Sequence, residues 1–139
     1  MNLGRLSNED EETKVRDYMT RRLICVDKNE SIQKACNHFV EFEISSLLVK
    51  EDEEIIGIFT KSDIIKEVVV SGKKIEDPVK EIMRENLITC DIDTSISRVL
   101  TLMSKHQIKH ILVEEEDEVT GIFTLKDLID LRKMYLESK

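Results

Sequence analysis

The sequence has little that would bend, brace or anchor a chain. One proline, Pro78, and four glycines in 139 residues leave few sites for tight loops. Tryptophan is absent and aromatics amount to 4%, so any core must be mainly aliphatic. Cysteine is scarce as well. Cys25, Cys36 and Cys90 are odd in number and lie apart among apolar residues, so they read as small buried hydrophobes rather than a disulfide framework or metal set. His38, His106 and His110 show no metal-ligand spacing with each other or with cysteine, so no metal is expected. No apolar run approaches the ~18 residues of a membrane span. The first 14 residues, MNLGRLSNEDEETK, lack the hydrophobic stretch of a signal peptide. Both readings point to a cytoplasmic protein away from the membrane. Positive charge is in deficit: 21 Lys and Arg against 29 Asp and Glu give a net charge of −8. That argues against nucleic acid as a partner, which demands a positive face. A small anion needs only a few local cations or amides and stays open. There is no phosphate-cradling glycine loop and no Ser/His/Asp or Cys/His constellation, so no catalytic residue is expected and the chain does not read as an enzyme.

What the sequence does have is a duplication at an offset of 64 residues. Met19 pairs with Met83, Leu23-Ile24 with Leu87-Ile88, Asp27 with Asp91 and Ser31-Ile32 with Ser95-Ile96. Further on, Ile44 pairs with Ile108, Leu48-Val49 with Leu112-Val113, Gly57-Ile58-Phe59-Thr60 with Gly121-Ile122-Phe123-Thr124, and Asp63 with Asp127. No gap is needed, and roughly a third of the aligned positions are identical. The duplication divides the chain into a tail, 1–12, a first repeat, 13–72, and a second, 73–139.

Each repeat yields the same string of elements. Leu23–Val26 is a short apolar run of the kind that forms a buried strand. Ser31 is a good helix N-cap. Ile32, Ala35, Cys36 and Phe39 then follow at the spacing of one helix face, as do Ile96, Val99, Leu100 and Met103 after Ser95. The segments 44–49 and 55–59 read as a hairpin around the acidic tip 50–54, repeated by 108–113 and 119–123 around 114–118. The tips lack the glycine and ligand spacing of a calcium loop and read as solvated ends. Thr60 is placed to cap a helix to about Val70, stopped by Gly72. The matching helix after Thr124 runs to about Glu137. The unit is β-α-β-β-α and the fold class α+β, with the two repeats predicted to pack sheet to sheet in pseudo-twofold symmetry.

The repeated Thr-x-x-Asp carries chemistry. An ionised carboxylate only accepts hydrogen bonds, and a vicinal diol offers two donors at matching spacing, so Asp63 and Asp127 suit a ribose. Thr60 and Thr124 sit where a hydroxyl and free amides favour a phosphate or another ligand oxygen. The same spacing also makes an ordinary capping box, with threonine as N-cap and aspartate as its partner. The two readings are compatible.

A duplicated β-α-β-β-α unit with a Gly-Ile-Phe-Thr-x-x-Asp turn resembles the cystathionine β-synthase (CBS) domain, of which a tandem pair is called a Bateman module. The segments Val15–Thr20 and Val79–Met83 resemble the family's opening motif. Gly57–Asp63 and Gly121–Asp127 resemble its hairpin-to-helix motif. The resemblance spans about 13–137 and is to members carrying no catalytic domain. It implies a regulatory or sensor module that binds an adenosine-containing ligand in a cleft between the repeats. AMP, ADP or ATP is the first choice, with S-adenosylmethionine or methylthioadenosine as the alternative. Carried over by position, one site would use Ile122, Thr124 and Asp127 with Thr20, Ile24, Ile44, Ser45 and Ser46. The other would use Ile58, Thr60, Ser62 and Asp63 with Ile88, Ile108, Lys109 and His110. Ile24 and Ile88 would flank the adenine. Lys109 and His110 would touch phosphates, because a cation there gives a charge-assisted hydrogen bond. Since Lys126 replaces Ser62 in the second copy, the Asp63 site is the better match to the motif.

The resemblance also implies a homodimer, for which a twofold interface is the general default. Its expected surface is the helices 61–70 and 125–137, with Val68, Val69, Val70, Leu131, Met134, Tyr135 and Leu136 as apolar material. An unlinked enzyme or transporter is a further expected partner. The alternative is a structural dimerisation module whose cleft is degenerate.

Overall fold

The computed structural model describes residues 13–137, with side chains described over that span except 131–135 and 137. The predicted order of elements is present twice. In the first copy, strand β1 (Cys25–Asp27) leads to helix α1 (Ile32–Phe42), then to strands β2 (Ser46–Glu51) and β3 (Glu54–Thr60). Ser31 caps α1 by accepting from the Lys34 amide, and Glu43 ends it in the left-handed region at φ 52°. Ile32, Ala35 and Phe39 are its buried face, the period-3.6 stripe expected of a helix lying on a sheet. Strand β2 pairs parallel with β1 (Cys25 opposite Leu48) and antiparallel with β3 (Leu48 opposite Ile58).

The second copy repeats this with β4 (Thr89–Asp91), α3 (Ile96–His106), β5 (His110–Glu115) and β6 (Glu118–Thr124). Leu112 stands opposite Thr89 and Ile122. Ser95 caps α3 as Ser31 caps α1, and Gln107 ends it at φ 54°. The architecture is α+β, with two three-stranded sheets ordered β1-β2-β3 and β4-β5-β6.

The compact units are not the sequence repeats. One unit is Ile24–Leu87; the other joins the described residues up to Leu23 with those from Ile88 onward. The lead-in segment of each repeat therefore belongs to the sheet of the other. In the 24–87 unit, a 3-10 turn (Val79–Glu81) delivers Val79, Ile82 and Met83 to a core of Val26, Ile32, Ala35, Phe39, Leu47, Val49 and Phe59. The Val79 amide donates to the Glu30 carbonyl at 2.9 Å, and the Ile32 amide to that of Asp77 at 2.9 Å. In the other unit, the turn Val15–Asp17 brings Val15 and Met19 to Cys90, Ile92, Ile96, Val99, Met103, Ile111, Val113 and Phe123. There the Val15 amide donates to the Thr94 carbonyl at 2.9 Å and the Ile96 amide to that of Thr13 at 3.0 Å.

The lead-in methionines explain the duplicated glycines. A Cβ on Gly57 would lie 2.5 Å from the Met83 sulfur, and one on Gly121 2.6 Å from the Met19 sulfur. Both strands stay bare there so that the methionine can lie flat on the backbone.

The copies diverge in the helix that follows the hairpin. The predicted helix to Val70 is an α-helix, α2, only over Lys61–Ile64, and continues as a π-helix over Ile65–Val70. Three β-branched residues in a row, Val68-Val69-Val70, crowd the preceding turn and disfavour a regular α-helix. The equivalent α4 runs unbroken over Leu125–Glu137. Gly72 ends the first copy at φ 81°. Several strands begin or end one or two residues away from the sequence reading: β1 starts at Cys25 rather than Leu23, β2 at Ser46 and β5 at His110. Ile44 and Ile108 instead pack on the core just before their strands.

Of the expected apolar surface, Val69, Val70 and Leu136 are exposed, but Val68 packs on the core of its own unit. Leu131, Met134 and Tyr135 lie outside the described side chains, and the 1–12 tail outside the described residues. Among the described residues, no helix is long and apolar enough to cross a membrane.

Candidate functional site

Each unit builds one carboxylate cradle where its hairpin turns into the following helix. In the 24–87 unit, β3 ends on Thr60 and Asp63 lies one turn on. The Thr60 amide donates to Asp63 Oδ2 at 2.9 Å, the Thr60 hydroxyl to the same oxygen at 3.1 Å, and the Asp63 amide to Thr60 Oγ1 at 3.3 Å. This is a capping box, as the spacing allowed, and it fixes one carboxylate oxygen, Oδ2, while leaving Oδ1 to a partner from another segment. In the second unit the pattern recurs. The Thr124 amide donates to Asp127 Oδ2 at 2.9 Å and its hydroxyl at 3.3 Å; the Asp127 amide donates to Thr124 Oγ1 at 3.4 Å.

The Oδ1 oxygens differ in their partners. Asp63 Oδ1 accepts from both Arg84 Nε (3.0 Å) and Arg84 Nη2 (2.7 Å). Asp127 Oδ1 accepts from the Thr20 hydroxyl at 3.0 Å. Arg84 and Thr20 are the same position of the repeat, 64 residues apart. Their backbones are held alike: Arg84 exchanges hydrogen bonds with Ile58, and Thr20 with Ile122. One cradle is thus closed by a cation and the other by a neutral hydroxyl. Asp63 is 4% exposed, whereas Asp127 is half-buried. Burial raises the Asp127 carboxyl above its ordinary 3.8, against the opposing hydrogen bonds from Thr124 and Thr20, and the nearby Asp130 charge adds to the rise.

The other predicted residues sort by unit. Ile24, Ile44, Ser45, Ser46, Ile58, Thr60 and Ser62 belong with Asp63; Thr20, Ile88, Ile108, Lys109, His110, Ile122 and Thr124 belong with Asp127. Ser46 stands opposite Thr60, and the Lys61 amide reaches the Ser45 carbonyl at 3.4 Å. His110 stands opposite Thr124, and the Leu125 amide donates to the Lys109 carbonyl at 3.0 Å. The Leu48 and Leu112 amides donate to the Ile24 and Ile88 carbonyls, both at 3.1 Å. Sequence reasoning paired Thr20 with Asp127, and the structure joins them. It passed over Arg84, although the repeat sets that residue opposite Thr20.

The cations also sort. By repeat position the Asp127 unit carries Arg21, Arg22, Lys109 and Lys126 where the Asp63 unit has Glu85, Asn86, Ser45 and Ser62, and the Asp63 unit carries Lys61 and Arg84 where the other has Leu125 and Thr20. Lys109, Lys126 and Arg21 are exposed. Among the described residues no group of His, Cys, Asp and Glu could hold a metal ion. Cys90 is buried, and burial together with Asp91 and Glu114 pushes its thiol up to about 11.

Comparison with known proteins places this architecture. The family profile described as "CBS domain" matches residues 15–70 and 79–133. An uncharacterised conserved protein from Pyrococcus horikoshii is 43% identical, with a TM-score of 0.84 over 87% of this chain and 92% of that one. The CBS domain pair of protein MJ0100, solved in complex with 5'-methylthioadenosine and S-adenosyl-L-methionine, is 29% identical, with a TM-score of 0.78 over 88% and 98% of the two chains. The L-aspartate semialdehyde sulfurtransferase of Methanocaldococcus jannaschii is 33% identical over 91% of this chain, but the match covers only 25% of that enzyme.

Proposed function

Because the chain belongs to the CBS-domain family and carries two such domains in tandem, a regulatory class of module, we propose that it senses an adenosine-containing ligand. The Asp127 cradle is the ribose acceptor. The observation that carries this reading is the state of Asp127 Oδ1. Among the described residues it accepts one hydrogen bond, from the hydroxyl of the exposed Thr20, and an ionised carboxylate oxygen has room for about two. A vicinal diol can replace or join that hydroxyl at little cost. Thr20, Ile122 and Thr124 complete the cradle, Lys109 and Lys126 give its unit the positive charge that a phosphate tail requires, and His110 offers it a polar ring. A phosphorylated adenosine, AMP, ADP or ATP, is therefore the first choice. Ile88 and Ile108 are assigned to the adenine.

S-adenosylmethionine or methylthioadenosine is the second reading, supported by the ligands bound to the MJ0100 pair. The function would be exerted by linkage: a ligand that binds one conformation or assembly stabilises it. Self-association through the exposed Val69, Val70, Ile129 and Leu136, or an unlinked enzyme or transporter, would receive the signal. No residue is assigned a catalytic role. The boundaries 13–72 and 73–139 are read as those of the duplication rather than of compact bodies.

The test is a thermal-shift panel of AMP, ADP, ATP, S-adenosylmethionine and methylthioadenosine on the wild type and Asp127→Asn. At least one compound should raise the melting temperature of the wild type, and the variant should lose most of that rise. Equal shifts in both proteins would overturn the role of Asp127. Stabilisation by methylthioadenosine but not by AMP would replace the first choice with the second.

A further inference from the structure

Resting on that reading of Asp127, we infer that Arg84 is a built-in plug: its guanidinium occupies the diol-acceptor oxygen of Asp63, so that the chain binds one adenosine ligand rather than two. The duplication makes both halves of this comparison visible. Asp63 and Asp127 are equivalent, each held on Oδ2 by the amide and hydroxyl of its own threonine. The oxygen left for a ligand is Oδ1 in both. At Asp127 it takes one neutral donor, Thr20 Oγ1. At Asp63 it takes two donors from a single cation, Arg84 Nε and Nη2.

A carboxylate has about four acceptor sites, and at Asp63 all are in use. A diol arriving there would offer two uncharged donors in exchange for two from a guanidinium, which supplies the counter-charge as well as the hydrogen bonds. It would also strand a carboxylate that is 4% exposed from its counter-charge. At Asp127 the same diol displaces or joins a hydroxyl of its own kind. The Arg84 side chain is 55% exposed, so only the aspartate side of the pair is desolvated. The plug is anchored rather than adventitious. The Arg84 amide donates to the Ile58 carbonyl at 2.8 Å and its carbonyl accepts from the Ile58 amide at 3.1 Å, and the preceding Met83 lies on Gly57. Beside this cradle Ser45 and Ser62 take the places of Lys109 and Lys126, and Lys61 takes the place of Leu125, so a cation is still at hand for a ligand once Arg84 is removed.

The experiment is isothermal titration calorimetry of the full chain with AMP and, separately, with S-adenosylmethionine. The variants are Arg84→Thr, which copies the residue of the other unit, and the reverse change, Thr20→Arg. The wild type should bind one equivalent per chain and Arg84→Thr two. Thr20→Arg should bind at least tenfold more weakly than the wild type, and its readout does not depend on Arg84→Thr folding well. One equivalent in both the wild type and a folded Arg84→Thr overturns the plug and leaves the Asp127 reading intact, as does a wild type that binds two. No binding by the wild type with one equivalent in Arg84→Thr keeps the plug and overturns the Asp127 reading. No binding by either overturns both.

Discussion

The two units are the same scaffold with opposite treatments of one carboxylate. Both bury a phenylalanine from the hairpin (Phe59, Phe123), a lead-in valine (Val79, Val15) and a serine-capped helix under three strands. Both lay a methionine on a bare glycine. In one unit the aspartate is neutralised by Arg84; in the other it meets only hydroxyls and an amide. The packing positions are thus alike in the two units, whereas position 20 or 84, threonine in one and arginine in the other, gives the two carboxylates different partners.

The sharpest way to break the comparison is to test the symmetric part. Phe59→Ala and Phe123→Ala should each lose about 3–5 kcal/mol, the usual cost of emptying a buried aromatic site. The two losses, read by urea unfolding, should be of similar size. A cost confined to one of them would refute the equal-scaffold claim.

The asymmetric part should show in the lead-in residues. Arg84→Ala removes two hydrogen bonds to a buried charge and should cost about 1.5–3 kcal/mol, whereas Thr20→Ala removes one hydroxyl bond from an exposed residue to the half-buried Asp127 and should cost less. Equal costs by the same measurement would mean that the ion pair contributes no more than a single hydroxyl bond.

The aspartates should also differ with pH. The carboxyl of Asp127 is raised in the folded chain, so the folded state binds its proton more readily than the unfolded chain. At neutral pH both states are ionised, and the burial cost of the charge is borne in full. As pH falls through the raised value toward the ordinary 3.8, the folded state gains at this group. The stability difference between the wild type and Asp127→Asn should therefore move in favour of the wild type on acidification from pH 7. Ligand affinity should move the other way, since a protonated carboxyl is a poorer acceptor. A difference independent of pH would refute the raised value.

The smallest effect concerns Cys90. With its thiol pushed up to about 11 by burial and acidic neighbours, it should resist a thiol reagent at pH 8 in the folded protein and react on unfolding. Prompt labelling of the native chain at Cys90 would contradict its burial.

Much of this was legible in the residues. The offset of 64 set the order of elements, Ser31 and Ser95 marked helix starts, and Thr-x-x-Asp marked both cradles, because each signal is local and repeats. The π-helix over Ile65–Val70 followed from a β-branched run that was read only as surface. The sequence distinguished the two sites by Ser62 against Lys126, side chains that are both exposed, while Arg84, the residue that meets Asp63, stands 21 positions from it. Periodicity shows which face of an element is apolar, but not which distant segment will close upon it. The crossing of lead-in segments is such a long-range choice, and it alone brings Arg84 to Asp63.

That crossing also makes the chain nested. The Ile24–Leu87 unit is a continuous stretch, while the other unit is split around it. On the ribosome, every residue of the inner unit emerges before the outer one can be completed, so Val15 and Met19 must wait, unsheltered, for β4 and everything after it. Joining Leu23 to Ile88 closes a loop that contains the whole inner unit, and an open loop of that length carries an entropic cost that a folded insert has already settled. Synthesis from the N-terminus thus favours an order of assembly, inner unit first and outer unit second, that the equal footing of the two repeats in the sequence would not suggest.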